Sequence, residues 1–318
     1  MTPETASGGF SSRSPCKGEA QPGRVRRRWN TDAMPRPFQQ VDVFTTSPYS
    51  GNPVAVVLDA DGLSTDEMER FTAWTNLSEC TFVLPPTRPN ADYRVRIFTG
   101  ATPATDRQAI ASELPFAGHP TLGTCHAWLA SGGRPHQEHR IIQECGAGLV
   151  PIRRTAVGLA FAAPPLLRSG PVDESLVAHI TDVLRIQRSE IIDAAWADNG
   201  PGWVAVMLPS AESVLALQPG FVDLDLGVVG PHRPNAETAF ELRAFFPRNG
   251  STVEDPVTGS LNASVAQWLI ANGRARAPYV ASQGTALGRS GRIYIDQDDE
   301  AIWIGGGTVT CLTGTAEL

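Results

Sequence analysis

Apolar and polar positions recur along this chain in two matching series. In the first, Leu122, Trp128 and Leu129 lay a loose apolar stripe along Thr121 to Ala130, which stops at Ser131-Gly132-Gly133. In the second, Leu261, Val265, Trp268, Leu269 and Ile270 lay a fuller stripe that stops at Asn272-Gly273. Both patterns predict helices with glycine at the mouth: Gly118-His119 leads into the first, and Gly259-Ser260 opens the second 141 positions later. The strand-like runs repeat as well. Gly51 to Val57 is echoed by Gly200 to Met207, and Tyr93 to Phe98 by Phe240 to Phe246, in the same order. The pattern adds helical stretches at Thr65 to Thr75 and Ala211 to Gln218, a strand with one wet face at Tyr93 to Thr99, and a buried strand at Thr81 to Leu84. Each half reads as a strand, a helical stretch, further strands, a turn rich in Pro and Gly, and a helix. Duplicated halves of this kind predict an α+β protein with two similar domains facing a cleft.

The start of a helix leaves about four N–H groups without an intrahelical partner and carries roughly half a positive charge; glycine there lets an anion approach the amides closely. Two such starts meeting at one cleft would clamp a carboxylate. For either site alone, the simpler alternative is that Gly with Ser or Thr merely starts and caps the helix. The repetition favours the clamp.

A length of 318 residues suits about two domains, and 42% hydrophobic with 19% charged residues is the composition of a globular protein with a sizeable core. No apolar run approaches the roughly 20 residues of a membrane span, so no membrane partner is expected. Residues 1–35 are rich in Ser, Pro, Gly and Arg and lack apolar periodicity. They read as a disordered leader, with a transit peptide as the weaker alternative, ahead of a first domain at 36–151 and a second at 152–318 whose last strand returns to the first. The first 34 residues hold six of the 26 Lys and Arg and three of the 33 Asp and Glu, so the remainder carries 20 basic and 30 acidic groups, a net charge near −10. Such a surface repels phosphate backbones, and no nucleic-acid partner is expected, whereas a small anionic substrate responds to the local field of its pocket. The cysteines, at 16, 80, 125, 145 and 311, are odd in number and scattered, which predicts no disulfide framework and a reducing cytoplasm.

His119, Cys125 and His126 lie close together but lack zinc-site spacing, so no metal is expected. There is no Walker loop and no Gly-x-Ser-x-Gly frame. Gly305-Gly306-Gly307 follows the strand-like Ala301 to Ile304 and leads into Thr308-Val309-Thr310, which predicts a tight bend between strands. Chemistry in this chain is therefore expected from acids, bases and helix ends, without a cofactor.

Asn76, Ser78 and Glu79 are predicted in the turn before the strand Thr81 to Leu84, where a carboxylate points beyond the strand's end. Taken alone, a glutamate at such a place is most often a solvated turn residue or a helix-end partner. Gly51-Asn52-Pro53, Asn76-Leu77-Ser78-Glu79, Glu113 to Thr124, Glu144 to Val150 and Glu254 to Ser260 together resemble the PhzF-like phenazine biosynthesis family, from about Phe38 to near the C-terminus. The resemblance implies the diaminopimelate epimerase-like fold: two pseudo-symmetric α+β domains, each a barrel-like sheet around a central helix, with the site between them. It also implies a homodimer and cofactor-independent isomerisation, the characterised substrate being trans-2,3-dihydro-3-hydroxyanthranilate.

By the same resemblance Glu79 is the proton shuttle, His119 and Asp255 act beside it, and Ser78, Gly118, Gly259 and Ser260 surround the substrate. Asn52 is a further binding candidate, although Asn before Pro is also ordinary turn chemistry. A glutamate that removes and returns a proton works best when burial lifts its pKa from about 4.3 toward neutrality. Racemases of the wider superfamily carry a cysteine at each central-helix start. Here those places hold His119 or its neighbours and Thr258-Gly259-Ser260, which argues against a two-thiol epimerase and adds Thr258 to the binding candidates. An epimerase acting on another small amino acid-like molecule, and a binding protein that keeps the cleft, are the alternatives.

The chain departs from the family pattern between Thr99 and Glu113, where Gly100 to Ser112 intervenes. Its helix-capable end, Asp106 to Ala111, enters the site loop and is expected to reshape or cover the pocket; an exposed loop without a role is the alternative.

Overall fold

The computed structural model describes residues 34–100, 111–248 and 250–318. Residues 1–33 of the expected leader and residues 101–110 of the intervening segment lie outside the described residues. Met34 and Pro35, assigned to the leader by sequence, belong to the fold: the Met34 N–H donates to Leu318 O at 3.0 Å, and Pro35 opens the first strand.

The first half contains β1 (Pro35–Val43), β2 (Asn52–Val57), α1 (Thr65–Thr75), β3 (Glu79–Leu84), β4 (Tyr93–Thr99), β5 (Ser112–Leu114), α2 (Gly118–Ala130), β6 (Arg140–Cys145), β7 (Gly148–Thr155) and β8 (Gly158–Ala162). The second contains β9 (Arg168–Pro171), α3 (Glu174–Leu184), β10 (Asp193–Asp198), β11 (Val204–Met207), α4 (Ala211–Ala216), β12 (Leu226–Pro231), β13 (Phe240–Arg248), β14 (Ser251–Asp255), α5 (Gly259–Ala271), β15 (Tyr279–Gln283), β16 (Gly291–Gln297), β17 (Ile302–Gly306) and β18 (Thr308–Glu317).

The pairing repeats as the sequence does. β2 runs parallel to β3 across α1, and β11 runs parallel to β12 across α4. β4 pairs antiparallel with β3 and β5 and parallel with β6; β13 pairs antiparallel with β12 and β14 and parallel with β15. Two further ladders stitch the halves, β8 with β17 and β1 with β18, so the last strand returns to the first.

Local chemistry accounts for the helix that leads to β3. Ser64 caps α1 through a reciprocal capping box with Glu67, and Asn76 ends it in the left-handed conformation. Phe71, Phe82 and Phe98 pack edge to face between α1 and the sheet. α2 packs against β1, β2, β3, β8 and β18, and α5 against β10, β16 and β17. Most residues of both helices are buried, which explains the loose stripe read along Thr121 to Ala130: a helix enclosed by sheet has no polar face to alternate with.

Three boundaries differ from the sequence reading. α2 begins at Gly118 rather than Thr121, and α4 stops at Ala216 rather than Gln218. Glu79 is not a turn residue; it opens β3 and pairs with Thr99 of β4, because the ladder extends two residues past the apolar run. Ala301 to Gly307 folds as expected, with β17 turning into β18 at Gly307.

Arg243 fastens the approach to the second helix start. Its Nε and Nη2 donate to Glu254 at 2.9 and 2.7 Å, and its Nη1 donates to Val214 O and Leu217 O at the end of α4. This buried two-pronged pair holds β14 against β13 immediately before Asp255.

Candidate active site

The starts of α2 and α5 touch through their glycines. A Cβ built on Gly118 would stand 2.7 Å from the Cα and C of Gly259, and one on Gly259 would stand 2.8 Å from the Cα of Gly118. These glycines thus have a steric reason of their own, the close crossing of two buried backbones, besides the access they would give an anion. The N-cap residues, Ala117 and Thr258, are extended, and neither caps its helix with a side chain. First-turn amides of both helices therefore open at one place, where their partial positive charges add.

Around that contact lies a buried polar network. The Asn52 amide donates to Asp255 Oδ1 at 2.9 Å and to Val257 O at 2.8 Å, and its third contact is His119 Nδ1 at 3.3 Å. Asp255 Oδ2 accepts from the Thr258 hydroxyl at 2.6 Å. Gln283 Nε2 donates to Thr258 Oγ1 at 2.9 Å, while Gln283 Oε1 accepts from Thr258 N at 3.0 Å and from Asn262 Nδ2 at 2.8 Å. Asn52, from the first half, is thus the link that ties His119 to Asp255. Asn52→Ala is expected to destabilise the fold by about 2 kcal/mol, because it leaves a buried carboxylate oxygen and a buried carbonyl without a donor. A shifted urea midpoint at unchanged slope is the measurement; an unmoved midpoint would mean that water takes the place of the amide.

Glu79 and His119 face each other at the mouth of this network. His119 Nε2 stands 3.3 Å from Glu79 Oε2, and the Glu79 side chain keeps 17% of its surface exposed. The two atoms are close but not aligned for a hydrogen bond; with Asn52 Oδ1 they are buried polar atoms that have no aligned protein partner. Native proteins seldom leave such groups unmatched, and here they cluster in one place. Burial pushes the Glu79 carboxyl up to about 8; the Asp255 carboxylate adds to the rise and Arg248 opposes it. Burial also raises Asp255, to about 6, against the Thr258 and Asn52 hydrogen bonds that favour its charged form. His119 is held neutral, its pKa lowered by burial to about 3 against a backbone contact at Pro53. Its Nδ1 lies 3.3 Å from the Asn52 amide nitrogen, and its Nε2 faces Glu79. The arrangement offers an acid-base carboxyl, an ionised carboxylate and a neutral imidazole within one small volume.

The tertiary structure brings Glu79, His119, Asp255, Asn52, Gly118, Thr258 and Gly259 together. Ser78 lies half-buried one residue before β3. Ser260 is buried, and its Oγ accepts from Trp203 Nε1 at 3.1 Å while its carbonyl accepts from Asn199, so its side chain secures α5. Gln283, Asn262 and Arg248 escaped the sequence reading. Each sits in a strand or helix where a single polar residue reads as solvent-facing; only the register of β15 against β13 and the turn of α5 bring Gln283 and Asn262 to Thr258. Among the described residues no cluster of His, Cys, Asp or Glu forms a metal site, and no helix is long and apolar enough to cross a membrane.

Known proteins share this architecture. The model for the PhzC-PhzF family, described as phenazine biosynthesis-like protein, matches residues 41–314. Antisense-enhancing sequence 1 of Schizosaccharomyces pombe is 35% identical over 300 residues, covering 87% of this chain and 97% of its own. A trans-2,3-dihydro-3-hydroxyanthranilate isomerase of Pseudomonas fluorescens is 32% identical over 293 residues, covering 87% and 98%. Among solved structures, a PhzF-family phenazine biosynthesis protein of Bacillus anthracis superposes with a TM-score of 0.73 at 21% identity, covering 90% of this chain and all of that one. A hydroxyproline epimerase of Agrobacterium vitis shares the fold at a TM-score of 0.51 and 14% identity, covering 89% and 93%. The fold is thus the epimerase-like α+β fold. The chain belongs to the PhzC-PhzF family of phenazine biosynthesis-like proteins and is an enzyme of the isomerase class.

Proposed function

We propose that this enzyme moves a proton between carbons of a small carboxylated, amino-bearing substrate without a cofactor, with Glu79 as the proton shuttle. The observation that carries this reading is the pairing of Glu79 Oε2 with His119 Nε2 at 3.3 Å, two buried groups without aligned protein partners. In this reading the ionised Glu79 takes a proton from one carbon and returns it to another on the same face. The uncapped amides at Gly118 and Gly259 hold the substrate carboxylate, the charged Asp255 receives its amino group, and neutral His119 orients the substrate beside Glu79. One base on one side of the substrate favours a shift along a conjugated system over inversion at a single centre, which needs an acid and a base on opposite faces. Ala117 and Thr258 stand just before the two glycines, so neither helix start supplies a thiol.

Relatives named as trans-2,3-dihydro-3-hydroxyanthranilate isomerases make that compound the first substrate to try. Incubated with the enzyme in D2O and followed by proton NMR, it is expected to isomerise with deuterium entering at carbon. The value of kcat/KM is expected to rise with pH through about 8, since the free base must be ionised. Binding without exchange would overturn the reading in favour of a binding protein.

A further inference from the structure

Arg248 closes β13, and the register of β13 with β14 sets it opposite Ser251. Cross-strand partners point to the same side of a sheet, and alternate residues of a strand share a face. Ala244, Phe246 and Arg248 therefore stand on the face of this hairpin that also carries Asp255, the partner of Ala244. Arg243, five positions earlier, faces the other way and is engaged by Glu254 and the carbonyls of α4.

The Arg248 guanidinium reaches from the second half to the end of β4 in the first. Its Nη2 lies 3.3 Å from where a Cβ on Gly100 would stand; Leu77 O is 3.7 Å and Thr72 O 3.8 Å from the same point. Gly100 follows Thr99, the cross-strand partner of Glu79. A residue without a side chain thus leaves room for the guanidinium one position beyond the cross-strand partner of the base. The same spot is the C-terminal end of α1, which has no basic residue in its last turn, so its carbonyls attract a cation. Among the described residues no acidic side chain forms an ion pair with Arg248. The titratable and charged groups that act on Glu79 are His119 from α2, Asp255 from β14 and Arg248 from β13; Cys80, the next residue of its own strand, stands on the opposite face.

We propose that Arg248 is a positioning residue for the Glu79 carboxylate: reaching across from the second half, it favours the ionised form of the base and directs it into the site. The charge on the base then depends on the two halves being in register. This rests on the reading of Glu79 as the proton shuttle.

Arg248→Gln and Arg248→Lys in the full chain test it by two readouts. One is 13C NMR titration of the Glu79 carboxyl, identified as the resonance missing from Glu79→Gln. The other is the pH profile of kcat/KM for deuterium exchange into trans-2,3-dihydro-3-hydroxyanthranilate. The glutamine variant is expected to move both midpoints up by about one pH unit or more. That lowers kcat/KM at pH 7 about tenfold, and lysine restores most of it. A cation that served only the end of α1 would leave both midpoints in place when it is lost, and that result overturns the proposal. So does a shift that lysine fails to restore. Should the glutamine variant not fold, Gly100→Ala, which presses on the guanidinium without removing it, must raise the midpoint; no movement overturns the proposal equally. Wild-type protein that exchanges no deuterium, while Arg248 variants still move the Glu79 titration, defeats the isomerase reading and leaves this one standing. Exchange with a Glu79 midpoint indifferent to Arg248 does the reverse.

Discussion

Glu79→Gln is expected to lower turnover by at least about a hundredfold while leaving substrate affinity nearly unchanged, because the amide keeps the shape and hydrogen-bonding reach of the carboxyl and loses only the ability to take and return a proton. A kcat within a few-fold of wild type would remove Glu79 from the chemistry. The same substitution has an opposite effect on stability that can be read without any substrate. The folded-state pKa of Glu79 is raised to about 8 from an ordinary 4.5, so between those values the folded protein holds a proton that the unfolded chain has released, and stability falls as pH rises.

Other groups contribute at lower pH. Asp255, raised from 3.8 to about 6, destabilises in the same direction up to that point. His119, lowered from 6.5 to about 3, works the other way, since the unfolded chain binds the proton that the folded one refuses. Above pH 6.5 both are fading, and in the window from there to about 8 the difference between wild type and Glu79→Gln belongs to Glu79. Wild-type protein is expected to lose on the order of 1–2 kcal/mol across it, at up to about 1.4 kcal/mol per pH unit, and the glutamine variant is not. Urea unfolding at pH 6.5 and 8 measures the difference. Equal slopes for the two proteins would mean that Glu79 is already ionised in the folded state at neutral pH.

Gly118→Ala and Gly259→Ala form the second large prediction. A methyl at either position meets backbone atoms at 2.7 to 2.8 Å, and backbone enclosed by sheet cannot turn aside as a flexible side chain can. The helix starts must separate, at a cost of at least about 2–3 kcal/mol out of a total stability of roughly 5–15 kcal/mol. Separation also pulls His119 from Asp255, so activity is expected to fall further than unfolding explains. Since both methyls crowd one contact, the double variant should lose less than the sum of the two. Gly314→Ala on β18, with nothing within 4 Å of its added carbon, is the control and is expected to stay within about 0.5 kcal/mol of wild type. If the site variants match that control, the helices can slide apart freely and the contact is not what requires glycine.

Much of the fold was legible because duplication writes the same pattern twice. The matched runs at Gly51 and Gly200, and at Tyr93 and Phe240, became β2 with β11 and β4 with β13, each in the same pairing arrangement. Glu79, His119 and Asp255 were legible through motifs that resemble a family; the residues taken singly carry no such signal. The placement of Glu79 in a turn was the instructive error. An apolar run marks the buried part of a strand, whereas the ladder that aims Glu79 at His119 is made of backbone bonds to Thr99, which leave no trace in side-chain polarity.

The sequence by itself determined the two halves, their order of elements, the glycine-led helices and the absence of a thiol pair at their starts, since local propensity and repetition are properties of neighbouring residues. Only the tertiary structure decided that Asn52 joins His119 to Asp255, that the two glycines are needed for each other's backbone, and that Arg248 reaches Gly100, next to the cross-strand partner of Glu79. Those contacts span 67 to 203 residues of chain, and they exist because burial inside crossing sheets removes the water that would otherwise satisfy each group separately.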